Sequence, residues 1–367
     1  MFENLIYLNF GTVSTALIAL IFLKFNVTLD NRSTKIFKRA LYLVLLLSLT
    51  DSIYWYYWDT KQPTFLEEVC ANIGYILRPT ILFLIANVIH KNKQKSYWIY
   101  IPLILNTIIL LQNYATHNVF YFLEDNSFKH GIFGYTPHIV SAIYSIWILW
   151  AAIKYFQLSS VVEMITIISC ILTTAVATYY ESIYDMWGLI RQSIVMCIVF
   201  YMLQSHISAS NRDILTKAYN RVAFTNDVGK YHSRIYAVVS IDLNDLKKYN
   251  DLHGHSEGDK ALVKVAEVFA RILPSTVRIY RTGGDEFVFL AMKKPTKSME
   301  NLVNDIRTEL SKTKYRCSFG IAYLSEFDSF DDAYDYADVL MYKNKSAMKQ
   351  GLNDSDMAEL PKEVHGR

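Results

Sequence analysis

The sequence predicts two parts of different class: an α-helical membrane bundle of about seven spans, then an α+β domain with helices packed around a central sheet. Three observations predict it. Seven long apolar stretches fill the first two hundred residues, whereas nearly every charge cluster follows residue 205. From residue 213 on, short β-prone runs alternate with helical patterns. Two of those runs are joined by Gly283-Gly284-Asp285-Glu286, a turn carrying two acids. A chain of 367 residues has room for both parts.

The apolar stretches are Leu5–Leu23, Ala40–Trp58, Val69–His90, Tyr97–Gln112, Gly131–Ile153, Met164–Tyr180 and Met186–Leu203. Each approaches or reaches the roughly 20 residues that cross a bilayer. Basic residues sort the loops between them. Lys24, Arg32, Lys35, Lys38, Arg39, Lys91, Lys93, Lys95 and Lys154 fall in loops of one side. The other side has only Lys61 and Lys129, with Asp59, Glu67, Glu68, Glu124, Asp125 and Asp185. The expected topology is therefore an external N-terminus and, after seven spans of plasma membrane, a cytoplasmic C-terminal half. Met1-Phe2-Glu3-Asn4 lacks the basic start of a cleaved leader. The run Tyr54-Trp55-Tyr56-Tyr57-Trp58 suits the membrane interface. Cys70, Cys170, Cys197 and Cys317 show no paired or metal-type spacing and read as free, buried thiols. A net charge of +3 follows from this topology and does not argue for nucleic acid.

The domain divisions expected are 1–204 for the membrane part, 205–212 for a short helical linker, 213–352 for the soluble domain and 353–367 for a polar tail. Ile235–Leu243 is almost wholly apolar, as a central strand should be. Helical patterns follow over Leu246–Leu252 and Asp259–Leu273. Val277–Arg281 and Phe287–Met292 form a hairpin about the Gly-Gly-Asp-Glu turn. Its glycines permit the tight turn and its acids stand at the exposed tip. A helix near Met299–Lys312, a strand at Tyr315–Leu324 and a helix over Ser329–Lys349 complete the order.

Spacing assembles the chemistry. Asp242 closes the central strand, and Asp285 sits at the turn of a hairpin expected beside it. Two carboxylates converging from adjacent strands can hold one or two Mg²⁺ that also take oxygens of a triphosphate. Asn250, His255 and Asp259 lie just after that strand, and an amide near a carboxylate suits guanine. Lys345 and Lys349, one helical turn apart, can contact phosphates together.

These residues resemble the GGDEF-domain diguanylate cyclases. The resemblance rests on Asp213-Ile-Leu-Thr…Asn220-Arg221, Asp242-Leu-Asn-Asp-Leu-Lys247-Lys-Tyr-Asn250-Asp251, Gly254-His255-x-x-Gly258-Asp259, Gly283-Gly-Asp-Glu-Phe287 and Ala337-Asp338…Met341-Tyr342…Lys345. It implies a mostly antiparallel sheet like that of nucleotidyl cyclases and polymerase palms. It also implies a homodimer making cyclic di-GMP from two GTP with Mg²⁺, or Mn²⁺ in its place. By that resemblance Asp242, the Leu243 carbonyl, Asp285 and Glu286 hold metal, and Asp285 accepts the proton. Asn250, His255 and Asp259 take the base, with Lys247, Lys345 and Lys349 also on the substrate. Asn244 and Leu246 depart from the pattern, and Pro274-Ser-Thr-Val277 stands where relatives carry an inhibitory Arg-x-x-Asp. A catalytically silent receptor for GTP or cyclic di-GMP is the alternative. In the membrane half, Asp51, Arg78 and Arg191 should face the bundle interior, in a pocket for an unnamed ligand or as pairs such as Asp51 with Arg78.

Overall fold

The structure, a computed structural model, describes residues 2–58, 64–89, 97–155, 161–184 and 188–350. Asp59, Lys61, His90, Lys91, Lys93, Lys95, Asp185 and the tail 353–367 lie outside the described residues. The chain divides into two compact units, Met1–Ala209 and Ser210–Arg367.

The first unit is built from α1 (Phe2–Phe25), α2 (Asn31–Trp58), α3 (Phe65–Ile89), α4 (Ile101–Thr116), α5 (Thr136–Tyr155), α6 (Val161–Tyr184) and α7 (Leu189–Ser210). Four segments are long and apolar enough to cross a membrane: Phe65–Val88, Tyr97–Thr116, Met164–Glu181 and Leu189–Ser210. The basic cluster of α2 and the shortness of the apolar cores of α1 and α5 keep those three out of that class among the described residues. The sequence pattern does not foretell the hairpin of β1 (Phe120–Phe122) and β2 (Phe128–His130), whose strands are too short for alternation to register. It ends just before Gly131, where the fifth span was expected to begin, and a turn follows it, so the helix starts only at Thr136. Stacked Tyr75, Phe120 and Phe128 rings hold it against α3.

Contacts between helix ends show α2 antiparallel to α1 and α3, and α7 parallel to α1. Ser48 of α2 donates to Asn9 of α1 at one end. At the other, Arg32 donates to the Asn87 carbonyl of α3 and Phe22 of α1 meets His206 of α7. Asp51 pairs with Arg78, as expected, at 3.9 Å, and more closely with Arg191 at 2.8 Å. Only packing three helices together could decide which arginine comes nearer. Cys170 and Cys197 also differ from the fully buried thiols expected: they are half-buried and face each other between α6 and α7.

The second unit is a five-stranded sheet of β3 (Tyr219–Asn220), β4 (Ala237–Leu243), β5 (Val277–Arg281), β6 (Glu286–Ala291) and β7 (Cys317–Tyr323). Its order is β3-β5-β6-β4-β7; β3 runs parallel to β5 and all other pairs are antiparallel. Every residue of β4 is buried, which explains its nearly continuous apolar sequence. Alternation sends Val239, Ile241 and Leu243 to one face, under α9 (Leu246–His253), α10 (His255–Ile272) and α11 (Met299–Ser311). Val238, Ser240 and Asp242 point to the other, under α8 (Arg221–Tyr231) and α12 (Phe330–Lys349). Neither α8 nor β3 is foretold by the sequence pattern. In α8 only Ala223 is buried, so there is no apolar stripe to find; the Asn220 side chain caps it by accepting from the Ala223 amide.

Candidate functional site

The site forms where β4 and β6 end together. Asp242 pairs in register with Glu286, so their side chains share the α12 face. Just beyond, the Leu243 amide donates to the Asp285 carbonyl at 2.9 Å, which draws the turn against the end of β4. Glu286 is thus the first residue of a strand and not part of the turn tip, and Asp285 is half-buried where an exposed position was expected. The pairing of β6 with a buried central strand draws Asp285 inward, while Glu286 stays exposed.

Neither Gly283 nor Gly284 takes a left-handed backbone. The Glu286 carboxylate occupies the space a Cβ on Gly283 would need, and the space over Gly284 is open. Arg281 secures the turn: its Nη2 donates to the Gly284 carbonyl at 2.7 Å, and its Nη1 meets Asp213 at 3.1 Å. Asp213 accepts from the Thr216 amide and hydroxyl as well. Burial pulls its carboxyl up, but these hydrogen bonds and Arg281 together hold it below the usual carboxylate range. Sequence reasoning missed Arg281; its signal was a basic residue closing the Val277–Arg281 strand two positions before Gly283-Gly284.

Asp242 is the most constrained acid of the site. It is 7% exposed, Lys345 Nζ of α12 donates to its Oδ2 at 2.6 Å, and its Oδ1 is buried with no hydrogen bond. Burial raises its carboxyl above the ordinary range; Lys345 opposes that rise and the neighbouring Asp285 adds to it. Among the described residues no three His, Cys, Asp or Glu side chains gather as a metal cluster. What converges is Asp242, Asp285 and the backbone at Leu243, with Glu286 opposite Asp242. Such an all-oxygen set, with one carboxylate oxygen unsatisfied, fits a hard divalent cation that keeps water and takes further oxygens from a substrate.

Asn250 of α9 sits over Gly258 of α10, where any Cβ would overlap its amide oxygen; that oxygen is buried and without a hydrogen bond. His255 and Asp259 are exposed on the first turns of α10. Lys247 and Lys349 are exposed, so of the three lysines the structure brings only Lys345 onto an acid of the site. Asn244 turns away: its Oδ1 accepts from Ser318 at 2.7 Å and its amide reaches the Met348 sulfur, so the missing carboxylate there changes nothing in the Asp242 cluster.

Residues 210–351 match the family described as diguanylate cyclase, GGDEF domain. Diguanylate cyclase DgcM of Escherichia coli (strain K12) is 29% identical over 150 residues, which are 38% of this chain and 37% of that protein. Diguanylate cyclase DosC of Escherichia coli (strain K12) is 31% identical over 161 residues, 38% of this chain and 34% of that protein. The chain thus covers well under half of the length of either relative. A solved microbial GGDEF domain described with bis-(3,5)-cyclic di-GMP overlays 38% of this chain and 94% of its own at 25% identity, with a TM-score of 0.34. The C-terminal unit, from residue 210 to residue 351, is a GGDEF domain, and its relatives are diguanylate cyclases.

Proposed function

We propose that this chain is a membrane-embedded diguanylate cyclase, converting two GTP into cyclic di-GMP and two diphosphates under control of its N-terminal helices. The observation that carries the reading is the buried Asp242 beside Asp285 at the end of the central strands, one carboxylate oxygen held by Lys345 and the other unsatisfied. Asp242, Asp285, Glu286 and the Leu243 carbonyl would hold Mg²⁺ or Mn²⁺. When bound, that cation neutralises phosphate charge and acidifies the 3′-hydroxyl. The Asp285 carboxylate is placed to accept the 3′-hydroxyl proton as that oxygen attacks the α-phosphorus of the second GTP and diphosphate leaves. Asn250 and Asp259 take the guanine edge, with His255 beside them. Lys345, which holds Asp242 Oδ2, would also be within the reach of phosphate oxygens, and Lys247 and Lys349 would add charge there. The product is two-fold symmetric, so two sites face each other in a homodimer.

The membrane reading is supported by the four spanning-length helices and by Ile18, Ile21, Leu111, Leu172 and Val176, apolar side chains left exposed for lipid to cover. Lys24, Arg32, Lys35, Lys38 and Arg39 lie near the end of the bundle at which α7 runs into residue 210. The positive-inside rule places that end in the cytoplasm and the N-terminus outside the plasma membrane.

Detergent-purified chain given GTP and Mg²⁺ is expected to yield a product with the mass of cyclic di-GMP; GTP left intact, or another product, would overturn the reading. Asn250→Ala and Asp259→Ala should each lower kcat/KM for GTP by roughly tenfold or more. Each leaves guanine polar groups unpaired, at about 1–3 kcal/mol per group. Kinetics unchanged in both variants would reduce Asn250 and Asp259 to structural roles.

A further inference from the structure

The N-terminal unit holds a partly open cavity of about 250 Å³, walled by α1, α2, α3, α5, α6, α7 and the β1–β2 hairpin. A water's share of liquid volume is about 30 Å³, so a small organic molecule fits. Four charged side chains line it: Asp51, Arg78, Glu181 and Arg191. Three of them have close partners. Arg191 and Asp51 meet at 2.8 Å, and Glu181 accepts from the Ile190 amide at 2.9 Å.

Among the described residues Arg78 has none at that range. Its nearest acids stand at 3.8 and 3.9 Å, its Nε is buried with no hydrogen bond, and 23% of its side chain is exposed where it lines the cavity. A guanidinium offers five donors in a planar fork that matches a carboxylate. Trp55, Tyr75, Phe128 and Tyr135 form much of the remaining wall, with the Tyr75 ring 5.9 Å from the guanidinium carbon. Asp51 and Glu181 repel a dianion such as a phosphate monoester about twice as strongly as a monoanion, so the cavity favours the single charge.

We propose that this cavity is a binding site for a small monocarboxylate with an aromatic or apolar body, whose carboxylate takes the Arg78 fork. The inference rests on reading the first unit as the sensor of the proposed cyclase. It also gives the sensor a handle. Arg78 shares Asp51 and Glu181 with Arg191 and the Ile190 amide, which belong to the first turn of α7. A ligand that draws Arg78 away changes how that turn is held, and α7 leads directly into the GGDEF domain at residue 210.

The test is equilibrium dialysis of the full chain in lipid nanodiscs against labelled 3-phenylpropionate, with 3-phenylpropionamide, phenethyl phosphate and a panel of aliphatic monocarboxylates as competitors, empty nanodiscs subtracted. Saturable binding is expected, at least tenfold weaker for the amide and the phosphate. Arg78→Lys keeps the charge and loses the fork, and Ala71→Leu narrows the cavity without touching any ion pair; each should weaken binding about tenfold while thermal melting shows a folded chain. Equal affinity for the amide, unchanged binding in both folded variants, or no saturable binding by any carboxylate would overturn the proposal. Cyclic di-GMP synthesis is measured on the same preparation. Its failure alone counts against the cyclase, and loss of carboxylate binding alone counts against this site.

Discussion

Asp285→Asn should reduce cyclic di-GMP synthesis by at least two to three orders of magnitude while leaving the domain folded. The substitution keeps the volume and removes both the charge beside Asp242 and the proposed proton acceptor. Loss of one preorganised electrostatic group of this kind costs about 3–4 kcal/mol of barrier. Folding should survive because the structural tie at this position is the backbone: the Asp285 carbonyl that accepts from the Leu243 amide is unchanged. Asp242→Ala should be equally inactive but less stable, since it leaves the Lys345 ammonium without its partner. Product formation by mass spectrometry and melting temperature, measured on the same protein, separate the two effects. Near-normal turnover in Asp285→Asn would remove Asp285 from the chemistry.

Lys345→Met should destabilise the metal-free protein and make it unusually responsive to divalent cations. The variant leaves the Asp242 carboxylate buried with neither oxygen paired. Breaking a deeply buried pair costs about 3–5 kcal/mol; Lys345 is 23% exposed, so about 2 kcal/mol is expected once solvent screening is allowed for. In a domain of this size that lowers Tm by roughly 5–10 °C in a chelator. Millimolar Mg²⁺ should return most of the loss, because a cation then takes the place of the ammonium. The unmodified chain gains less, as its cation must first displace Lys345. Equal Tm in chelator, or equal gain from Mg²⁺ in both proteins, would show that Lys345 and a cation do not compete for Asp242.

Much of this protein is legible in its amino-acid order. The unbroken apolar run before Asp242 announces a strand buried on both faces, and β4 is buried throughout. The ordered motifs from Asp213 to Lys345 announce the GGDEF domain that residues 210–351 form. Asp285 and Asp242 could be expected near each other because a hairpin of two apolar strands must find a buried neighbour. These properties depend on side-chain period, on local backbone preference and on apolar stretches that only lipid or a core can cover, so neighbours along the chain decide them.

What distant neighbours decide was not legible. Lys345 and Lys349 share a helix face by spacing, but nothing in that spacing says that α12 lies on the Asp242 side of the sheet and brings Lys345 to 2.6 Å. Arg281 and Asp213 are 68 residues apart and meet because β5 pairs with β3 at the start of the domain. Asp51 finds Arg191 across 140 residues and leaves Arg78 facing the cavity, a choice made by how α2, α3 and α7 pack. Periodicity assigns a residue to a face; which charge meets which across two faces depends on ångström-scale packing of elements far apart in sequence, and only the tertiary structure contains it.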